Sequence, residues 1–260
     1  EIIEEEAFSH CYSLRSAKLL GVKIIKARAF QFGGLTDVEF GDKLETIEGT
    51  AFGYCIELVN ITMPSVGTIG VIAFNHCVHL MELMFPVDLE TLEIGAFTNC
   101  VRLRRIALPL KGAMIEDQVF HYCPQLVTVD LVGGIYNTVA SLHMEGWRDE
   151  MNEEINRINK VLPNANVGEK TVEIQQWMES LTRRLDNYKA EHIRIIKEAT
   201  TLLELALWKA KLNDNLRRGV LEMDGVRTTR GRRKRARKEI CIKSGASIVI
   251  ENVLPFLELK

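Results

Sequence analysis

Apolar residues return along the first half of the chain with a period of 22 or 23. Ala-Phe stands at 7–8, 29–30, 51–52, 73–74 and 96–97, and Val119-Phe120 continues the series. Phe8, Phe30, Phe52, Phe74, Phe97 and Phe120 are therefore separated by 22, 22, 22, 23 and 23 residues. Three residues after each comes Cys11, Gly33, Cys55, Cys77, Cys100 or Cys123, followed by Leu14, Leu35, Leu58, Leu80, Leu103 or Leu126. From Leu58, Leu80 and Leu103 an alternation runs through Ile61 and Met63, Leu83 and Phe85, and Ile106 and Leu108 to Pro64, Pro86 and Pro109. Leu126, Val129 and Leu131 repeat it without the proline. Alternation over so few residues predicts a strand with one buried face. Proline, which has no N–H to donate, is expected to end it. A second apolar pair precedes each corner, most clearly Leu44/Ile47 and Leu89/Leu92, and predicts a second short strand.

One coil of this length cannot bury its own inner face, but stacked coils cover one another. The pattern predicts about six coils with the phenylalanines in an internal ladder at the strand spacing of about 4.7–4.9 Å. The second coil departs from the pattern, with Gly33 in the cysteine position and Leu35 one residue early.

After Gly133-Gly134 the period changes. Met144, Trp147, Met151, Ile155, Ile158 and Leu162 step by three and four, which is one apolar stripe on a helix. Arg148, Asp149, Glu153, Glu154, Arg157 and Lys160 are expected to face water. Residues 163–168 form a breaker cluster. A second stripe follows through Ile174, Trp177, Leu181, Leu185, Tyr188, His192, Ile195, Ala199, Leu202 and Ala206. Two such helices with a short loop predict an antiparallel hairpin, the second helix covering about 170–213. Its distal part, 202–208, is apolar on more than one side and needs cover from the solenoid end, the C-terminal segment or a second copy.

The repeat residues resemble the BspA-type branch of the leucine-rich-repeat family, whose signature is Leu-x-x-Ile before an Ala-Phe-x-x-Cys-x-x-Leu corner. The resemblance implies interaction or adhesion without catalysis. The expected fold class is α+β: a leucine-rich-repeat β-solenoid over 1–134, then a long antiparallel helical hairpin or coiled coil over 135–215. A basic linker over 216–239 and an apolar C-terminal segment over 240–260 follow. The order of solenoid, helical segment, basic run and apolar end also resembles uncharacterised repeat proteins of unicellular algae, which brings no known activity.

Composition adds little, with 47% hydrophobic and 26% charged residues as in ordinary soluble domains. No run of apolar residues is long enough to span a membrane. Charge is more telling. Residues 1–134 hold 10 Lys+Arg against 17 Asp+Glu, a net of −7, and the remainder holds 23 against 18, a net of +5. Eight of those 23 are Arg227, Arg230, Arg232, Arg233, Lys234, Arg235, Arg237 and Lys238. Such a run reads as a nuclear-localisation patch, a contact for nucleic acid or an acidic surface, or a solvated linker.

The alternation also predicts which side chains face outward. One column is Ser16, Asp37, Asn60, Glu82, Arg105 and Thr128; the other is Lys18, Glu39, Thr62, Met84, Ala107 and Asp130. Solenoids commonly bind partners along such a face, and Arg104 and Arg105 are the best anchors on it. Asp37, Asn60, Glu82, Arg104, Arg105 and Thr128 are the candidate protein-binding residues.

Five of the six cysteines share one column, which reads as small buried thiols. A disulfide between adjacent coils is conceivable but poorly oriented. His10, His76 and His121 sit in the corner, and His76-x-x-His79 lacks two further converging ligands for zinc. No phosphate loop, nucleophile motif or carboxylate pair stands out, so no catalytic, cofactor or metal site is expected.

An intracellular scaffold, cytoplasmic or nuclear, is the first reading, since free cysteines in a repeat column suit a reducing compartment. A secreted or cell-surface recognition protein is the second, and a nucleic-acid-associated protein the third. The first residue falls inside a repeat, which leaves room for a cap, more repeats or a targeting signal ahead of it.

Overall fold

The computed structural model describes residues 1–111, 114–132 and 145–223, with side chains from 149 to 213 in the last stretch. Two strand columns run through the coils. Two-residue strands β1 (Ile2–Ile3), β3 (Ile24–Ile25), β5 (Thr46–Ile47), β7 (Thr68–Ile69) and β9 (Thr91–Leu92) pair in parallel in that order. The longer strands are β2 (Ser16–Leu19), β4 (Asp37–Phe40), β6 (Asn60–Thr62), β8 (Glu82–Met84), β10 (Arg105–Pro109) and β11 (Thr128–Val132). They form two three-stranded parallel sheets, β2-β4-β6 and β8-β10-β11. Helices α1 (Glu145–Val161) and α2 (Lys170–Met223) follow the solenoid. Glu1–Arg184 forms one compact unit, and a second begins at Leu185.

The core is the expected ring ladder. Phe8, Phe30, Phe52, Phe74, Phe97 and Phe120 stack with centroids 5.2, 5.1, 5.1, 5.0 and 6.0 Å apart and planes within 15°. Phe30 to Phe120 are buried, whereas Phe8, stacked on one side only, is 41% exposed. The cysteine column explains itself. Each buried thiol donates back to a phenylalanine carbonyl of the preceding coil: Cys55 to Phe30, Cys77 to Phe52, Cys100 to Phe74 and Cys123 to Phe97, at 3.1–3.4 Å. A small side chain with a weak donor fits this slot. The thiols are free, and Cys11 is half-buried.

Two positions in each corner take left-handed backbone, among them Glu6, Arg28 and Thr50, and His10, Phe32 and Tyr54. The second coil reaches its early Leu35 because residue 34 is glycine; a Cβ there would collide with the Tyr12 carbonyl. Glutamates four residues before the core rings tie coils together. Glu48, Glu93 and Glu116 accept the N–H groups of Ala27, Val71 and Ile94.

Pro109 ends β10 as expected: it is the last residue of the strand and is aligned with Val132. Three expectations need correction. Ala107 is buried, because its methyl does not rise above its register neighbours Met84 and Asp130. Glu154 is 7% exposed, not solvated: Arg157 and Arg184 hold its carboxylate at 3.1 and 3.2 Å, and the Trp177 indole N–H donates to its carbonyl. Leu202 is 61% exposed, and Leu203 beside it is half-buried.

Among the described stripe residues of the first unit, Met151, Ile158, Leu162, Ile174, Trp177 and Leu181 are buried and Ile155 is half-buried, and α2 runs ten residues past the expected end at 213. The start of α2 is anchored to the last coil. The Lys170 ammonium donates to the Pro124 and Leu126 carbonyls at 2.8 and 2.6 Å. Asn159 of α1 both accepts from and donates to the Val129 backbone.

Candidate interaction surfaces

The outward columns coincide with the ladder register. Ser16, Asp37 and Asn60 are aligned, and so are Glu82, Arg105 and Thr128. Asp37, Asn60, Glu82, Arg104 and Arg105 are exposed and Thr128 is half-buried. Hydrogen bonds fix the column. Asn60 Nδ2 and Thr36 Oγ1 each donate to the Asp37 carboxylate at 2.7 Å, which holds its pKa below the usual aspartate value. Arg105 grips Asp130 through Nε and Nη2 at 2.8 and 2.6 Å. Arg104 Nε donates to Gln125 Oε1 at 3.1 Å. The face is a set of pre-positioned polar groups whose rotamers are already restricted.

The break between β6 and β8 interrupts this face. Thr36 O accepts N–H groups from Val59 and Asn60, and Met81 O accepts from Arg104 and Arg105; among the described residues Val59 O has no such donors. Both strands at the break are three residues long and run into Pro64 or Pro86 two residues later. A groove of about 680 Å³ lies there, lined by Asn60, Thr62, Met81, Glu82, Met84 and Arg104 among others. Met84 is 71% and Met81 41% exposed. The structure thus brings Asn60, Glu82 and Arg104 together around one groove, while Asp37, Arg105 and Thr128 lie outside its lining. The charged run 227–238 lies outside the described residues.

The histidines of the corner do not converge. His76 Nδ1 pairs with Asn75 Oδ1, and His79 Nδ1 donates to the Ile56 carbonyl. Among the described residues no group of His, Cys, Asp or Glu is arranged to hold a metal ion, and no helix is long and apolar enough to cross a membrane. Burial pushes the Cys55 thiol up to about 12 and raises Cys77 and Cys100 well above the ordinary value. These are not nucleophiles at neutral pH.

Sequence reasoning missed one surface. The residues two positions after the core rings are His10, Phe32, Tyr54, His76, Asn99 and Tyr122, and the first four stack on one another at the exposed corner. The column is legible in the sequence, because it recurs with the period of the core rings.

Six copies of the BspA-type leucine-rich repeat match residues 1–127. This stretch belongs to the BspA-type leucine-rich-repeat family. Proteins with such repeats generally act in protein interaction or surface recognition, generally without catalysis, and BspA-type members are often surface or secreted bacterial proteins. Among solved structures, the BspA-type solenoid is similar to the Treponema pallidum leucine-rich-repeat protein at 29% identity and a TM-score of 0.46, over 50% of this chain and 62% of that one. A leucine-rich-repeat protein of Bacteroides ovatus aligns at 25% identity and a TM-score of 0.44, over 49% of this chain and 34% of that one. A leucine-rich cell surface protein of Faecalibacterium prausnitzii aligns at 24% and 0.41, again over 49% and 34%. The chain thus spans less than two thirds of each of these proteins. None of the curated proteins matches the sequence.

Proposed function

We propose that the chain is a non-catalytic protein-interaction scaffold whose docking wall is the strand face around the β6–β8 groove. The observation that carries this reading is the pair of exposed methionines, Met81 and Met84, set among Asn60, Glu82 and Arg104. An exposed apolar centre with a polar rim is the anatomy of a protein interface, and methionine adapts its shape to what it meets. The test is affinity capture with the full chain and with a Met84→Asp, Arg104→Glu variant. Partners held by the parent and lost by an equally stable variant would support the reading. The same partners held equally by both would refute it.

Two finer assignments belong to this proposal. Leu205, Trp208 and Leu212, 59%, 71% and 51% exposed, recur at helical spacing and offer a surface for pairing between copies. A monomeric mass at micromolar concentration would remove that assignment. The basic run 227–238 supplies charge toward nucleic acid or an acidic surface. Binding to duplex DNA should then weaken with salt with a slope of about −0.9 per phosphate contacted. Free thiols in the repeat column favour the cell interior as the compartment, which imaging of the tagged full-length protein would check.

A further inference from the structure

The corner that follows each core phenylalanine carries no formal charge. Positions 9–12, 31–34, 53–56, 75–78, 98–101 and 121–124 hold 24 residues without one Asp, Glu, Lys or Arg, in a chain that is 26% charged. Seven of the 24 are buried, and at that frequency the other 17 would carry about four charges, so this edge is poorer in charge than the rest of the solenoid surface.

Its outer column is aromatic. His10, Phe32, Tyr54 and His76 stack with centroids 5.0, 4.9 and 4.5 Å apart, and Tyr12 meets His10 edge-on at 5.9 Å. Phe32 and Tyr54 are stacked on both faces and so turn ring edges to solvent. Phe32 and Tyr54 are 36% and 37% exposed, Tyr12 63% and Tyr122 55%, with Ile56 and Val101 beside them. The backbone does not favour these residues. His10, Phe32, Tyr54, His76 and Tyr122 all have φ between 51° and 61°, a region where glycine or asparagine fits more easily, as Asn99 in the same column shows. Large rings held against a backbone preference on an exposed edge point to use rather than to packing alone.

We propose that this edge binds a proline-rich segment of a partner protein in the polyproline II conformation. The inference rests on the scaffold reading above and moves its contact to a different surface. Three properties select the occupant. An uncharged edge discriminates against charged segments, which would lose hydration without a counter-charge. Two rungs of the ladder advance about 10 Å, close to the ~9.3 Å turn of polyproline II, whereas an extended strand repeats at about 6.7 Å. Polyproline II also leaves its carbonyls unpaired, and the edge offers donors to them in the Tyr12 and Tyr54 hydroxyls and the Gln31 amide. Aromatic surfaces with such donors are how proline-rich segments are read.

The experiment titrates fluorescein-labelled decaproline with the full chain, following fluorescence polarisation. An uncharged helical alanine-rich peptide and an uncharged glucan oligosaccharide serve as competing probes. Saturable decaproline binding that persists from about 0.05 to 0.5 M NaCl is expected, since no ion pair is involved. Tyr12→Ser and Tyr54→Ala should each weaken it about fivefold or more, the loss of an aromatic anchor. Tyr12 lies outside the face-to-face stack, so its variant keeps the test valid if Tyr54→Ala unfolds. Arg104→Glu should leave decaproline binding unchanged. Absence of saturation, preference for either competing probe, or undiminished binding by Tyr12→Ser would overturn the proposal. A parent chain that fails to bind decaproline yet still captures partners through Arg104 would sink this inference and leave the scaffold reading standing.

Discussion

The Phe120 N–H donates to the Thr171 hydroxyl at 2.9 Å. One coil earlier, the Phe97 N–H donates to the Val119 carbonyl at 2.9 Å, and Phe30, Phe52 and Phe74 do the same to Ala51, Ala73 and Ala96. Thr171 therefore stands where the carbonyl of a seventh coil would be. Lys170, Gln175 and Asn159 extend the substitution, bonding to the backbone at Leu126, Ile115 and Val129. A solenoid end exposes backbone groups and apolar rings that must be covered, and here helical side chains do so.

Removing these donors and acceptors should loosen the whole first unit. Thr171→Val keeps the shape and removes the acceptor, leaving a buried N–H without a partner, at a cost of about 1–3 kcal/mol. Lys170→Met strands two carbonyls and should cost about 2 kcal/mol or more. Urea denaturation of the full chain measures both. A Lys170→Met midpoint equal to the parent's would show that the helices are not a cap.

The ring ladder predicts a gradient from end to centre. Phe52→Ala opens a cavity between two stacked rings and should destabilise by about 3–5 kcal/mol. Phe8 is 41% exposed and has one stacked neighbour, so Phe8→Ala should cost well under half of that. Equal losses in thermal melts would contradict a ladder whose centre carries the core.

The buried thiols couple stability to alkaline pH. Cys55 is held as a thiol to about 12, whereas the unfolded chain releases the proton near 9.0. Between those values the unfolded state binds fewer protons than the folded one, so stability falls as pH rises. The slope is at most about 1.4 kcal/mol per pH unit per thiol. Cys55→Ala should reduce that slope. In a Cys241→Ser background at pH 8, a thiol reagent should label one cysteine, Cys11, without denaturant. Rapid labelling of Cys77 or Cys100 in the folded chain would contradict their burial.

The glutamate links predict a distinction between charge and acceptor. Glu93 Oε2 accepts the Val71 N–H at 2.9 Å. Glu93→Gln retains an acceptor and should change stability little. Glu93→Ala removes it and should cost about 0.5–1.5 kcal/mol by differential scanning calorimetry. Equal effects of the two changes would assign the role to charge instead.

The coil period, the ring ladder, the buried thiols and the strand register were all legible from Phe8, Cys55 and Leu58 and their repeats, because each recurs at a fixed interval. The strand columns were read correctly except at Ala107, where a small side chain sits between longer ones. The recurring Glu48, Glu93 and Glu116 and the aromatic corner were written in the same period. What they do depends on the left-handed corner backbone, which a hydrophobicity pattern does not report.

The repeat alone determined that this chain stacks on itself, since a coil this short has no other way to shield its apolar side. Tertiary structure decided how the stack is closed and interrupted. The bonds that close it join residues 30 to 60 positions apart at no fixed interval, so they leave no periodic trace. Lys170 and Glu154 look like solvated charges in one dimension. Only the approach of Leu126 and Pro124 to the first, and of Arg184 and Trp177 to the second beside its helical neighbour Arg157, supplies the partners that make their burial affordable.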